Sequence, residues 1–167
     1  RIEWRQQWNI DPSDCLALFV GMNYRLKGLE PLLHAMKLLP AKSPIKLMIV
    51  GNKHTGGFEK LADRLGVADK VRIVHGDIFK EDFSKATVVT MYLLPELNLK
   101  LRPTILKMKP GTRVVSHAFT MGDWEADAEI DSPAKGYFWV VPANVAGEWT
   151  LTNFDAQGPA TLSLSQH

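Results

Sequence analysis

The stretch ALFVGMNYRLKGLEPLLHAM, residues 17–36, constrains the fold more than any other. Residues 16–20 are apolar without interruption and stop at Gly21; a turn with two cations follows. Leu29, Leu32, Leu33 and Met36 then recur at helical spacing. A run that is apolar at every position, rather than at alternate ones, suits a strand buried on both faces. Such a strand needs other elements packed over each face, so this opening commits the chain to layers of helix and sheet.

The same grammar continues downstream. Residues 46–50 form a second strand stopped by Gly51. Residues 57–65 form a helix with Phe58, Leu61, Ala62 and Leu65 on its apolar side, and Gly66 stands where a left-handed cap is wanted. Residues 71–74 and 87–93 are the third and fourth strands. Residues 95–108 are mostly helical, with Pro103 either kinking the helix or marking its true first turn. Residues 113–116 are the fifth strand. After Ser116 helical periodicity ends, and residues 137–141, 148–152 and 160–165 read as antiparallel strands joined by Pro and Gly turns. Trp139 and Trp149 flank PANVAG and read as core or sheet-face packing. The expected fold class is α/β: a Rossmann-like, doubly wound, mostly parallel sheet with antiparallel C-terminal strands, as a single domain over residues 1–167. Ligands of such sheets sit at the carboxyl ends of the strands, a rim that here contains Gly21, Gly51, Gly76 and the residues after Ser116.

Composition narrows the partners. With a net charge of +2 and no basic run interleaved with aromatics, nucleic acid is not an expected partner. Cys15 is the only cysteine, which excludes an internal disulfide and a cysteine-based metal site. None of the five histidines shares metal-ligand spacing with another. No apolar segment reaches the roughly 18 residues that span a bilayer. The chain opens at Arg1 without an initiator Met or a signal-peptide pattern, as expected of a trimmed piece of a cytoplasmic protein.

Two resemblances divide the chain. RIEWRQQWNI, LFVGMNYRLKG, LEPLLHAMKLL, LMIVG and FEKLADRLGVADKVRIVHG follow one another in residues 1–76. This order resembles the first half of the donor-binding domain of family 4 glycosyltransferases. GDIFKEDFSKATVVTMYLLPELNLKLRP, LKMKPGTRVVSHAF, MGDWEAD and FWVVPANVAGEWTL follow in residues 76–167. These resemble the back half of a small bacterial class I S-adenosylmethionine-dependent methyltransferase. Residues 61–77 fit either family and form the natural crossover. Both families order their first strands 3-2-1 and return to place strand 4 beside strand 1, so a join after strand 3 preserves every neighbour relation while making the strand 1 to strand 4 packing new.

Each resemblance implies a site and lacks part of it. The glycosyltransferase resemblance implies a donor diphosphate held by the first loop, here Gly21, Asn23, Arg25, Lys27 and Gly28. Backbone N–H groups at a helix start with two nearby cations suit an anion; the other reading is that Arg25 and Lys27 are solvated loop charges. That family also uses a glutamate-containing segment after strand 4 and a separate acceptor domain, which these residues do not include. The methyltransferase resemblance implies that Asp77 contacts adenine, with Ile78 and Phe79 beside it; the other reading is an aspartate capping a turn. That family further implies an acidic G-x-G first loop and an acid at the end of strand 2. Here the first loop is VGMNYRLKG and strand 2 runs into VGNK. Two cations near a sulfonium cofactor have the wrong sign.

The expectation is therefore a hybrid domain without turnover, with weak nucleotide-diphosphate binding at residues 21–28. A UDP-sugar type ligand stands ahead of S-adenosylmethionine. The alternatives are an S-adenosylmethionine-dependent methyltransferase and a fragment of a family 4 glycosyltransferase. His117, Asp123, Trp124 and Glu125 lie close enough in sequence to suggest acid–base chemistry, but no nucleophile accompanies them. They are expected to be structural.

Overall fold

The computed structural model describes residues 8, 10–21, 23–51, 56–152 and 159–165. Most of the expected lead-in segment at residues 1–10, along with His54 and His167, lies outside them. The elements in chain order are β1 (Cys15–Val20), α1 (Leu29–Leu38), β2 (Ile45–Gly51), α2 (Gly56–Leu65), β3 (Val71–His75) and β4 (Val88–Met91), followed by α3 (Pro95–Ile105), β5 (Arg113–His117), β6 (Ala128–Ile130), β7 (Gly136–Val140), β8 (Gly147–Leu151) and β9 (Ala160–Leu164).

Seven strands form one sheet in the order β3-β2-β1-β4-β5-β7-β6, parallel from β3 to β5 and antiparallel where β7 meets β5 and β6. The α/β, mostly parallel, Rossmann-like expectation holds, and the chain does return after β3 to place β4 beside β1. There Ala17, Leu18, Phe19 and Val20 pair with Val88, Val89, Thr90 and Met91. The seam carries side-chain bonds as well: Thr90 Oγ1 donates to the Leu18 carbonyl at 3.0 Å, and Thr87 Oγ1 to the Leu16 carbonyl at 3.3 Å.

Strand alternation sorts the core into two clusters. On one face Leu16, Leu18 and Val20 join Val89, Met91, Leu101, Ile105, Val114 and Trp139, so both halves of the chain share a single apolar layer. On the other face Phe19, Tyr24, Leu29, Leu33, Leu47 and Ile49 pack beneath α1 and α2, all from the first half. Past β1 no helix among the described residues covers that second face. Val115 on β5 and Val140 on β7 are left 38% and 37% exposed.

The structure corrects three local expectations. Pro103 does not begin its helix: α3 starts at Pro95, with Leu94 accepting the Leu97 and Asn98 N–H groups, and Pro103 lies near its end. PANVAG is not the turn of a hairpin that joins the strands on either side. β7 is taken up by β5 and β6, and β8 pairs only with β9 in a separate two-stranded sheet. Trp139 is fully buried as expected, whereas Trp149 is 49% exposed on that second sheet.

Candidate functional site

The carboxyl ends of β1 to β4 enclose a cleft of about 350 Å³, walled mainly by apolar groups. Its floor is open because β1 and β2 both run into glycine. Gly21 and Gly51 line it, as do Ile78, Phe79, Leu93 and Leu97. Gly51 cannot be otherwise: a Cβ there would stand 2.3 Å from Tyr24 Oη and 2.4 Å from the Gly21 carbonyl oxygen. Gly76 is less constrained, because a Cβ there would meet only the end of the flexible Glu81 side chain, which can move aside.

Asp77 also lines the cleft. Its Oδ1 accepts the Phe79 N–H at 3.1 Å, while its carbonyl accepts the N–H groups of Lys80 and Glu81. The turn-capping reading of this aspartate is therefore realised by one carboxylate oxygen. Lys100 Nζ lies 4.3 Å from the Phe79 ring centroid, holding a cation over the back of that wall. His75 closes β3 at the cleft edge, with Nε2 3.3 Å from Glu59 Oε1.

The first loop takes a different course from an open phosphate cradle. Asn23 Oδ1 accepts the Leu26 N–H at 3.3 Å, and the Asn23 and Tyr24 carbonyls accept from Lys27 and Leu29. Gly28 then enters α1 with φ 76°, the left-handed conformation that glycine adopts without strain. The loop's aromatic side chain, Tyr24, folds inward against Phe58, with ring centroids 5.7 Å apart, and burial pushes its phenol pKa up. Lys27 reaches across the seam: its ammonium donates to the Tyr92 carbonyl and lies 5.0 Å from the Tyr92 ring centroid. Burial lowers its pKa.

The six expected site residues thus separate into three groups. Gly21 and Asp77 share the cleft. Lys27 and Gly28 line a second cavity of about 430 Å³ against β4 and β5. Asn23 and Arg25 are exposed and line neither. Sequence reasoning passed over Tyr24 and Tyr92. An aromatic inside a glycine-flanked loop, opposite a strand that ends in glycine, was the available signal for Tyr24. For Tyr92 nothing short of the β1–β4 pairing could have shown that its carbonyl receives a lysine.

Of the residues singled out around β5, Asp123, Trp124 and His117 make structural contacts, although His117 Nδ1 is buried without a hydrogen-bond partner among the described residues. Arg102 pairs with Asp123 and also donates to the Met121 carbonyl at 2.8 Å. The Trp124 carbonyl accepts the Trp139 indole N–H at 2.9 Å, and the His117 ring lies 4.2 Å from the Tyr92 ring. Among the described residues no cluster of His, Cys, Asp or Glu is arranged to hold a metal, and no helix is long and apolar enough to cross a membrane.

Residues 1–89 match the glycosyl transferases group 1 family, and residues 56–128 match the ANTKMT methyltransferase domain. The overlap contains the crossover expected at residues 61–77. A protein-lysine N-methyltransferase of Saccharolobus islandicus is 49% identical over 63 residues, covering 37% of this chain and 39% of the relative. A D-inositol 3-phosphate glycosyltransferase of Segniliparus rotundus is 38% identical over 73 residues, covering 40% of this chain and 16% of the relative. The matched part of the chain is thus well under half the length of either relative. The crystal structure of an RNA methyltransferase from Salinibacter ruber, in complex with S-adenosyl-L-homocysteine, superposes with a TM-score of 0.66 at 32% identity. The match covers 84% of this chain and 89% of that one.

Proposed function

This chain belongs to the glycosyl transferases group 1 family through residues 1–89 and is methyltransferase-like over residues 56–128, and from that hybrid premise we propose that it is a nucleoside-binding domain that catalyses no turnover. The observation that carries the proposal is the apolar cleft that brings Gly21 and Asp77 together at the strand ends. A flat base fits between the Ile78–Phe79 wall and the Leu93–Leu97 wall, where apolar contact supplies most of the affinity. The Asp77 oxygen not used in capping the turn would accept from an exocyclic amino group, which favours adenine.

The binding is weak because, among the described residues, few polar groups line the cleft for the rest of the ligand. Gly51 ends β2 where an acid would hold ribose hydroxyls, and the first loop has no acid for an amino group. Each missing charged contact is worth roughly 1.5–3 kcal/mol, about tenfold or more in affinity. The same gaps argue against methyl transfer, which requires the cofactor to be held rigidly in a reactive pose. S-adenosylhomocysteine is the ligand of choice for a test, since the Salinibacter ruber protein was solved in complex with it.

The second reading keeps a nucleotide diphosphate at the first loop, supported by the family match and by the exposed Arg25. Lys27 weighs against it, because its ammonium is held at the Tyr92 carbonyl beside a cavity that Arg25 does not line. Calorimetric titration separates the two. On the proposal, S-adenosylhomocysteine binds, Leu97→Trp weakens it at least about tenfold by filling the cleft, and Lys27→Met leaves it unchanged. UDP binding that is lost in Arg25→Ala and Lys27→Met, with no heat from S-adenosylhomocysteine, would instead establish the diphosphate reading.

A further inference from the structure

The second cavity lies on the sheet face past β1 that no helix of the described residues covers. α1 and α2 stop at β1, and α3 packs on the opposite side, so β4 and β5 present Thr90 and Val115 to an open hollow of about 430 Å³. Phe19 contributes from β1 and Ile130 from β6, and the Tyr92 and His117 rings, tilted 56° to one another, stand at the strand ends. Its wall combines residues of the glycosyltransferase-like loop with residues of the methyltransferase-like strands across the β1–β4 seam.

Its charge is as distinctive as its shape. Lys27 lines it, and its ammonium gives one N–H to the Tyr92 carbonyl, leaving two further donors. Lys135 also lines it but is bound by Glu129 at 3.2 Å and by Asp131 at 3.1 Å. Among the described residues no aspartate or glutamate lines the cavity. A part-buried ammonium whose partners are the Tyr92 carbonyl and ring, with no anion of the described residues against it, is electrostatically incomplete.

We propose that this cavity binds an organic monoanion, a carboxylate with an apolar body, with Lys27 pairing the carboxylate and the β4–β5 face holding the body. The site is separate from the nucleoside cleft and does not depend on it. A diphosphate suits it poorly, because a strongly hydrated dianion would have to lose water against Phe19, Val115 and Ile130 for a single cation.

The test is a titration of the whole chain, followed by NMR chemical shifts, with hexanoate, hexanol and inorganic pyrophosphate as probes. Hexanoate is expected to bind, and its uncharged counterpart hexanol to bind at least about tenfold more weakly, since a charged pair is at stake. Lys27→Met keeps the apolar stem over Tyr92 and should weaken hexanoate about tenfold or more. Val115→Trp, at an already exposed position, should block it by filling the hollow. Equal binding of hexanol, indifference to both substitutions, or a preference for pyrophosphate that requires Lys27 would each overturn the proposal.

Discussion

At the scale of single residues, the rim of the sheet is fixed by what cannot be added to it. A methyl group on Gly51 meets a backbone carbonyl and a buried phenol, neither of which can retreat cheaply. Gly51→Ala should therefore cost about 1–3 kcal/mol, read as a lower midpoint in urea unfolding. Tyr24 gives a prediction with a sign. Its phenol has an ordinary pKa of 10.0, and burial raises it in the folded chain. Above that value the unfolded chain loses the proton first, so the stabilising difference is intact below about pH 10 and disappears as pH rises through the folded value. Stability measured upward from pH 10 should fall less steeply in Tyr24→Phe than in the parent. An equal slope would mean that the phenol is not buried.

At the scale of elements, the two tryptophans that looked alike in sequence have opposite consequences. Trp139 is fully enclosed on β7, donates its indole N–H to the Trp124 carbonyl, and packs with the rings of Trp124 and Tyr137. Trp139→Ala should cost about 3–5 kcal/mol. Trp149 lies on the β8–β9 hairpin, where the register places it opposite Leu162 with Leu151 and Leu164 on the same face, all more than a third exposed. Trp149→Thr should change thermal stability by no more than about 0.5 kcal/mol, because a surface position away from a packed feature carries little. Strand existence was legible here because apolar runs and glycine stops are local signals. Partnership was not, because whether β7 pairs with β5 or with β8 is decided by contacts far apart in sequence. The three-residue β6, exposed throughout, offers no pattern that a reading of the sequence could register. The candidate site divides in the same way. The rim positions of Gly21 and Asp77 follow from strand ends, whereas the direction of Lys27 depends on the path of a loop.

At the scale of the whole molecule, the account rests on one layer of core crossing the join between two ancestries. Leu18, fully buried on β1, packs in the same cluster as Val89, Leu101 and Trp139. We propose that the halves therefore unfold together. Leu18→Ala should lower a single transition by about 2–5 kcal/mol rather than split it into two. Ligand and sheet are then linked: a nucleoside that binds only the assembled rim stabilises everything the rim is built from. The most direct test is thermal unfolding followed by calorimetry, with and without S-adenosylhomocysteine. One transition is expected, raised by the ligand in the parent and unmoved in Leu97→Trp; a concentration about 100 times the dissociation constant adds about 2.7 kcal/mol. Two separate transitions, or one that S-adenosylhomocysteine leaves in place at saturating concentration, would contradict the account.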